Sequence, residues 1–280
     1  MAINNIMSVD LESWVHLVPE YAGVSSFERK KIDNEDIVRE SDYLLNELSK
    51  RSIKLTWYVV SEIADWYPEI MENLVKEDQE IGYHTNSHKH IVDDSVLQAE
   101  LQVSSDFIDR YRPTTFQAPS IVFCEEGYKH LKHNGFVTSL SVYGKTKDMF
   151  STEGILECPV SLYTYRNFNE KLHYPSNMNL RLLTYGIPFG SSFWYSLGYR
   201  FISYFIEQSL RSGEFVNMFI HNWQIFPPSQ KARSAKRKLC LRNPAFFLYL
   251  PNIKEMFLTL LDNYKWARTA DILQPYLEKV

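Results

Sequence analysis

Two carboxylates near the start of the sequence are candidates for hydrolytic chemistry. Asp10 and Glu12 lie two positions apart in "VDLESW", directly after a run of apolar residues. They could form one half of a site that combines a metal ligand with a general base. A solvated strand end is the alternative, so the choice depends on what the rest of the chain supplies.

Histidines in the segment "HTNSHKH" could supply the other half of such a site. The spacing of His84 and His88 suits two imidazoles that reach one metal ion from a turn or a first helical turn. Catalytic zinc sites take three protein ligands and leave a further position for water, so a carboxylate would complete this set. A surface histidine cluster around one buried histidine is the alternative for this segment.

The elements that must position these residues alternate between strand and helix. Strands are predicted at 4–12, 54–60, 80–86, 115–120, 136–142, 154–163 and 215–223. Helices are predicted at 34–51, 61–78, 95–111, 125–134 and about 192–211. About seven strands in one βα series favour a parallel barrel or a doubly wound sheet.

Four of the predicted strands end in residues that could do chemistry. The pairs at these ends are Asp10 with Glu12, His84 with His88, Gln117 with Pro119, and His221 with Trp223. In parallel α/β structures the working residues come from the carboxyl ends of the strands, where the loops converge. The sequence therefore predicts one site at one rim of the sheet.

Composition limits the class of protein. The chain of 280 residues, with 45% hydrophobic and 23% charged residues, suits one folded domain spanning 1–280. A net charge of −4 provides no global field that would attract nucleic acid. The aromatic fraction of 15% is high enough to suggest stacking surfaces, which carbohydrate sites often have.

Cysteine usage and the N-terminal sequence suggest a cytoplasmic protein. Cys124, Cys158 and Cys240 are far apart and have no metal-binding spacing, which is typical of thiols in a reducing compartment. The segment "MAINNIMSVDLESW" lacks the basic and apolar regions of a signal peptide. No apolar run approaches the length of a membrane span.

The ordered motifs resemble those of the polysaccharide deacetylases, also classed as carbohydrate esterase family 4. The matching segments are Asp10 with Glu12, "HTNSH" at 84–88, "FQAPS" at 116–120 and "FIHNW" at 219–223. "DLESW" and "HNWQ" also resemble a subgroup with the motifs Asp-Val-Glu-Asp-Trp and "HPWE". The resemblance implies a distorted (β/α) barrel with about seven parallel strands, holding one divalent metal, usually zinc, and removing an acetyl group from an N-acetylated sugar.

The resemblance also implies a role for each site residue. Glu12, His84 and His88 would bind the metal, Asp10 would be the general base, and His221 would protonate the departing amine. The reverse assignment of Asp10 and Glu12 stays open.

Substrate contacts are expected from four further residues: Trp14, Gln117, Pro119 and Trp223. The two tryptophans could equally be core residues, and Pro119 could serve only loop geometry. Gln117 stands where the family has an arginine paired with the base, so the carboxylate would lack that charge. Ser13 replaces the second acid of the subgroup, and Ser139 lies near the place of an aspartate that orients the histidine.

These features predict a metal-dependent carbohydrate N-deacetylase that acts in cytoplasmic surface-glycan biosynthesis, of the lipopolysaccharide O-antigen or capsule type. Its expected substrate is a nucleotide sugar, a lipid-linked sugar or a related intermediate. Two alternatives stay open. One is a non-catalytic glycan-binding barrel, and the other is an amidohydrolase for a non-sugar amide.

The C-terminal part, at about 225–280, is predicted to be an extension that is first basic and then aromatic. Residues 231–250 carry six basic residues and no acid, and they end in the apolar run "AFFLYL". The basic residues are Lys231, Arg233, Lys236, Arg237, Lys238 and Arg242. Such a segment could rest on an anionic membrane surface or bind a diphosphate. A solvated loop followed by a core helix is the alternative.

Overall fold

The computed structural model describes residues 4–165 and 176–278. Its strands are β1 (Asn5–Leu11), β2 (Thr56–Val59), β3 (Glu80–Tyr83), β4 (Thr115–Phe116), β5 (Thr138–Ser139), β6 (Tyr143–Gly144), β7 (Phe150–Thr152), β8 (Ile155–Glu157), β9 (Val160–Ser161), β10 (Tyr163–Thr164), β11 (Gly186–Ile187), β12 (Asn217–His221) and β13 (Trp266–Ala267).

Helices alternate with these strands along most of the chain. They are α1 (Ser26–Asp33), α2 (Asp36–Ser49), α3 (Glu62–Trp66), α4 (Pro68–Lys76), α5 (Asp94–Val103), α6 (Ser105–Tyr111), α7 (Gly127–His133), α8 (Leu180–Tyr185), α9 (Tyr199–Arg211), α10 (Gln230–Arg242), α11 (Phe246–Tyr249), α12 (Lys254–Asn263) and α13 (Thr269–Leu277). Short 3₁₀ turns lie at Trp14–Leu17, Pro19–Tyr21, Pro119–Ile121, Thr146–Asp148, Ser192–Leu197 and Asn222–Gln224.

One curled sheet with the form of a half-barrel organises the molecule. Its strands run in the order β12-β1-β2-β3-β4-β5-β8-β7, and β13 pairs with the start of β1. Every neighbouring pair in the described sheet is parallel except β7 with β8. The predicted α/β fold with a barrel-like, mostly parallel sheet is confirmed.

The register of the central strands sets the position of the rim. All seven residues of β1 are buried, as expected for a parallel strand covered on both faces. Asp10 near its end pairs with His221 of β12 on one side and with Tyr58 of β2 on the other. His84 follows β3 and Gln117 follows β4, so the predicted site residues all emerge at the carboxyl edge.

Several predicted element boundaries are wrong in instructive ways. The helix predicted at 61–78 is two helices, because Tyr67 has φ −142° and Pro68 begins α4 as its first residue. The helix predicted at 95–111 divides at Ser104. The strand predicted at 136–142 is reduced to β5, and the helix predicted from 192 begins as a 3₁₀ turn that Gly198, at φ +89°, separates from α9.

The C-terminal segment packs against the sheet. Helix α10 is capped by Ser229, whose hydroxyl accepts from the Ala232 N–H, so the basic run is helical and not an extended loop. Its inward face buries Ala232, Lys236 and Leu239 at helical spacing. None of the helices in the described ranges has both the length and the apolar character needed to cross a membrane.

Candidate metal centre and active site

Side chains from three strand ends and the loop after β3 meet at the carboxyl rim. Asp10, Glu12, His84 and His221 are each at most 3% exposed. His221 Nε2 lies 3.7 Å from Asp10 Oδ2 and 3.5 Å from Glu12 Oε1, while His84 Nε2 lies 3.8 Å from Asp10 Oδ2. The sheet therefore brings two buried acids and two buried imidazoles to one place at the rim.

Glu12, His84 and His88 form the group that could hold a metal ion, and we call it the metal cluster. One ligand atom from each of the three lies within 4.8 Å of the other two. His88 Nε2 is 2.6 Å from Glu12 Oε2, and its side chain is only 9% exposed. Asp10 lies beside this group but is not part of it, so the geometry favours Glu12 over Asp10 as the carboxylate ligand.

The donor atoms of the metal cluster fit a divalent metal. The Nδ1 atom of His84 lies 2.6 Å from the Gln117 carbonyl oxygen, so it carries the proton and leaves the Nε2 lone pair free for coordination. His84 Nε2 is buried without a hydrogen bond in the described structure, which is costly unless a ligand satisfies it. Two imidazole nitrogens and one carboxylate oxygen are a typical zinc ligand set.

Electrostatics favour the protonation states of His84 and Glu12 that bind metal. Burial, helped by the nearby charge of His88, lowers the pKa of His84 to about 3, so the imidazole is neutral. Burial opposes ionisation of Glu12, but His88, His221 and His84 outweigh it and lower the pKa of this carboxyl. A neutral histidine and an ionised glutamate are the forms that coordinate a cation.

The loop between His84 and His88 is held by a buried glutamate, Glu100, that was not predicted from the sequence. Glu100 Oε2 accepts from the backbone N–H groups of Asn86 at 2.8 Å and Ser87 at 2.9 Å. The loop needs this support because Thr85 and His88 both adopt positive φ, at 64° and 61°. An acid on the buried face of α5, beside Leu97 and Leu101, was the available signal.

Asp10 has the surroundings of a base that is reluctant to ionise. Burial, followed by the neighbouring Glu12 charge, raises the pKa of Asp10 well above its usual range. The predicted contact with Gln117 is present, since its Nε2 donates to Asp10 Oδ2 at 3.1 Å. A bound cation next to Asp10 would lower this pKa again, because positive charge favours the carboxylate.

His221 is oriented by a neighbouring side chain. Its Nδ1 lies 3.0 Å from Ser192 Oγ and 3.1 Å from Gln224 Oε1. The amide oxygen can only accept, so Nδ1 carries the proton and Nε2 faces the two acids. Burial lowers the pKa of His221 to about 4 against the opposing effect of Glu12. His221 must therefore take up a proton at Nε2 before it can act as an acid.

Residues of the turn after β12 hydrogen-bond to both the side chain and the backbone of Glu12. Trp223 Nε1 donates to Glu12 Oε1 at 3.0 Å, and Asn222 Oδ1 accepts from the Glu12 N–H at 3.0 Å. Asn222 in turn donates to Glu40 Oε2 at 2.6 Å, and Lys236 donates to the Trp223 carbonyl at 3.0 Å. Lys236 Nζ also lies 4.4 Å from the centre of the Trp223 ring.

The tryptophans predicted to stack on a sugar are in the core. Trp14 and Trp223 are each 1% exposed, and their indole N–H groups donate to the carboxylates of Asp36 and Glu12 respectively. The expectation that these rings contact substrate is therefore corrected in favour of the core alternative. Pro119 is also buried and begins the 3₁₀ turn that carries Ser120 and Ile121 towards the cavity.

Three further residues lie around the site: Ser13 and Ser139, which stand where relatives have acids, and His16, which was not predicted to take part. Ser13 donates to Asp33 Oδ1 at 2.5 Å, so an acid is present there but comes from α1. Ser139 donates a hydrogen bond to Ser141 Oγ at 2.9 Å. His16 lies 2.8 Å from Glu62 and its ring is 6.2 Å from that of His88, although no motif marks it in the sequence.

A cavity of about 660 Å³ opens above the metal cluster. Its floor contains Asp10, His88, Gln117 and His221, and its lining includes the aromatic residues Tyr143, Phe193, Phe219 and Phe246. The volume is in the range of small-molecule sites, and the arrangement places possible acid, base and metal ligands against one bound group.

Comparison with known proteins gives a family match for part of the chain. Residues 33–136 match the model of the polysaccharide deacetylase family. The peptidoglycan-N-acetylmuramic acid deacetylase PdaC of Bacillus subtilis is 31% identical over 84 residues, which are 28% of this chain and 18% of that protein. The chain thus matches less than a fifth of this relative's length.

A solved structure shows the same fold over nearly the whole chain. A candidate polysaccharide deacetylase from Mycobacterium smegmatis superposes with a TM-score of 0.51 and covers 94% of each chain. At 11% sequence identity this likeness concerns the fold alone. The curled, mostly parallel sheet of this chain is therefore the fold of that protein.

Proposed function

We propose that this chain is a metal-dependent carbohydrate N-deacetylase, which hydrolyses the amide of an N-acetylated sugar. The observation that carries the proposal is the buried metal cluster of Glu12, His84 and His88, flanked by Asp10 and His221 at the floor of an open cavity. The polysaccharide deacetylase match over residues 33–136 supports the same reaction class. We also propose that the chain belongs to the subgroup with an Asp-Val-Glu-Asp-Trp opening motif.

Each residue has a role in this proposal. Glu12, His84 and His88 would hold the ion, most simply zinc, which when bound polarises the amide carbonyl and lowers the pKa of a water molecule. Asp10 would accept the proton of the attacking water, with Gln117 positioning its carboxylate. His221 would take up a proton at Nε2 and deliver it to the departing amine, held in place by Gln224.

The substrate is proposed to be a sugar of surface-glycan assembly, as a nucleotide sugar or a lipid-linked sugar. Cys124, Cys158 and Cys240 are free thiols, which supports a reducing compartment such as the cytoplasm. The exposed basic residues of α10 support a position near anionic groups, including the inner face of a membrane.

A non-catalytic glycan-binding barrel is the second candidate, and one observation favours it. Gln117 carries no charge, and the pKa of Asp10 is raised by its burial and by Glu12, so the base is less readily ionised than it would be beside an arginine. A binding protein of this kind would bind a sugar in the cavity without hydrolysing its amide.

Release of acetate from N-acetylated sugars separates the two candidates. The protein is stripped with a chelator, reloaded with one equivalent of Zn²⁺, and incubated with N-acetylglucosamine oligomers and with UDP-N-acetylglucosamine. The deacetylase proposal expects acetate only from the reloaded protein, together with a rise in Tm on adding Zn²⁺. A zinc-loaded protein that binds these sugars and releases no acetate would support the binding barrel instead.

A further inference from the structure

A second cavity lies beside the active-site cavity, on the C-terminal segment. It has a volume of about 410 Å³, and its surface is mostly apolar. We call it the α10 groove, and the residues that matter here are Arg233, Arg237, Leu241, Phe246, Phe247 and Leu250. Leu241 and Phe247 are 81% and 62% exposed, which is unusual for large apolar side chains.

The α10 groove adjoins the active-site cavity, and one aromatic side chain lies between the two. Phe246 lines both cavities, while Asn243 and Ala245 line the active-site side of the same turn. A ligand that occupies the active-site cavity could therefore extend past Phe246 into the groove.

Two arginines supply an unbalanced positive charge at the edge of the groove. Arg233 and Arg237 are four residues apart on α10, and Leu241 is four further on, so the three share one helix face. Neither arginine has an ion-pair partner among the described residues, whereas Arg242 pairs with Glu20. α10 contains no acid, and guanidinium groups match phosphate oxygens in shape and charge.

We propose that the α10 groove binds the phosphate-bearing, apolar chain of an amphiphilic substrate whose sugar occupies the active-site cavity. The arginines would hold the phosphate, and Leu241, Phe247 and Leu250 would contact the chain. The proposal rests on the proposed function for the identity of the sugar, but binding in the groove is measured separately from hydrolysis. Among the proposed substrates, binding of this kind favours the lipid-linked sugar over the nucleotide sugar.

A concave site favours a single chain over a bilayer surface. A membrane-binding helix exposes a continuous apolar face to the lipid, with basic residues along its margins. On α10 the exposed residues are mostly basic, and Leu241 is the one large apolar side chain exposed among them. The apolar surface is concentrated in the cavity that Leu241 lines together with Phe247 and Leu250. Recessed apolar surface with a few polar groups at its edge is typical of a ligand site.

The test uses dodecyl phosphate as a probe, below its micellar concentration, with binding measured by calorimetry. Dodecyl maltoside supplies the same chain without phosphate, and inorganic phosphate supplies the anion without the chain. We expect dodecyl phosphate to bind one site at least about tenfold more tightly than either, because it combines apolar burial with charge-assisted hydrogen bonds.

Paired variants locate the binding site on α10. Arg233→Gln with Arg237→Gln, and separately Leu241→Ser with Phe247→Ser, should each weaken dodecyl phosphate binding about tenfold. Lys231→Gln with Lys238→Gln removes the same number of charges from exposed positions of α10 that do not line the groove, and should leave the affinity unchanged. If the lysine pair weakens binding as much as the arginine pair, general charge attraction explains the binding and the proposal is wrong.

Vesicles and a kinetic comparison complete the design. Non-saturable binding of dodecyl phosphate, together with arginine-dependent sedimentation on anionic vesicles, would identify a membrane contact and overturn the proposal.

For hydrolysis, N-acetylglucosaminyl dodecyl diphosphate should have a lower KM than UDP-N-acetylglucosamine, and the double arginine variant should raise that KM.

The two proposals fail in different ways. Groove-dependent binding of dodecyl phosphate without any acetate release contradicts the deacetylase function and supports the groove. The opposite result is acetate release with the same KM for both sugars, and dodecyl phosphate binding that is unchanged in the groove variants. That result contradicts the groove proposal and supports the deacetylase function.

Discussion

The metal cluster and the residues behind it are positioned by different parts of the fold. Glu12 and His84 directly follow strands whose register is set by main-chain pairing, and Asp10 and His221 are register partners. The residues that support this arrangement through one intermediate contact come from helices: Glu40 from α2, Glu100 from α5 and Lys236 from α10. We call these three the support residues.

The difference suggests a division between chemistry and precision. The metal cluster supplies ligand atoms, so the loss of one member should remove the site. The support residues act through one intermediate contact, so their loss should loosen the site and leave its chemistry in place. The predictions below test this contrast, beginning with the largest expected effect.

Replacing a ligand should abolish metal binding. In His88→Ala we expect no stoichiometric zinc and no acetate release, with cooperative unfolding retained because the side chain lies at the cavity floor. Metal analysis and thermal unfolding measure both properties. His133→Ala, at an exposed end of α7, is the matched control and should keep its metal. A zinc-replete, active His88→Ala protein would remove the metal cluster from the account.

Replacing a support residue of the loop should give an intermediate effect. Glu100→Gln loses charged hydrogen bonds to Asn86 and Ser87 and the ion pair with Lys89. We expect zinc affinity to fall about tenfold and the free energy of unfolding to fall by about 2 kcal/mol. The exposed Glu72→Gln is the control for the same chemical change. Unchanged zinc affinity in Glu100→Gln would show that the loop keeps its conformation without the Glu100 carboxylate.

Residues at strand ends could be predicted from the sequence, and the support residues could not. Apolar runs identify buried parallel strands, and a polar residue directly after such a run must lie at the carboxyl rim, which located Asp10, His84 and His221. No local pattern shows that Lys236 is buried while Lys238 is exposed, because this depends on how α10 packs. For the same reason the burial of Trp14 and Trp223 became known only from the structure.

A charged partner placed beside Asp10, the proposed base, should change the pH profile and little else. Gln117→Arg places a guanidinium beside Asp10, which lowers the pKa of that carboxyl. In the proposed reaction Asp10 acts in its ionised form, so activity should be lost as the pH falls through this pKa, and the acidic limb should move down by about one unit. A profile of kcat/KM between pH 4 and 9 measures it. An unmoved limb would mean that the ionisation of Asp10 is set by other groups.

The smallest effect is expected at the support residue farthest from the metal cluster. Lys236→Met keeps the buried stem but loses the hydrogen bond to the Trp223 carbonyl and the charge over its ring. We expect zinc affinity to fall about threefold, because Trp223 still donates to Glu12 but is less firmly held. Lys238→Met, exposed on the same helix, should not change it. Loss of zinc as complete as in His88→Ala would erase the distinction between the two groups.

The central claim is that Glu12, His84 and His88 bind one metal ion, and anomalous diffraction at the zinc edge tests it most directly. Crystals equilibrated with Zn²⁺ should show one strong peak at the carboxyl rim. The account predicts this peak about 2.0–2.2 Å from one imidazole nitrogen of each histidine and from a carboxylate oxygen of Glu12. A peak bound by other residues, or no peak at the metal cluster under saturating zinc, would contradict it.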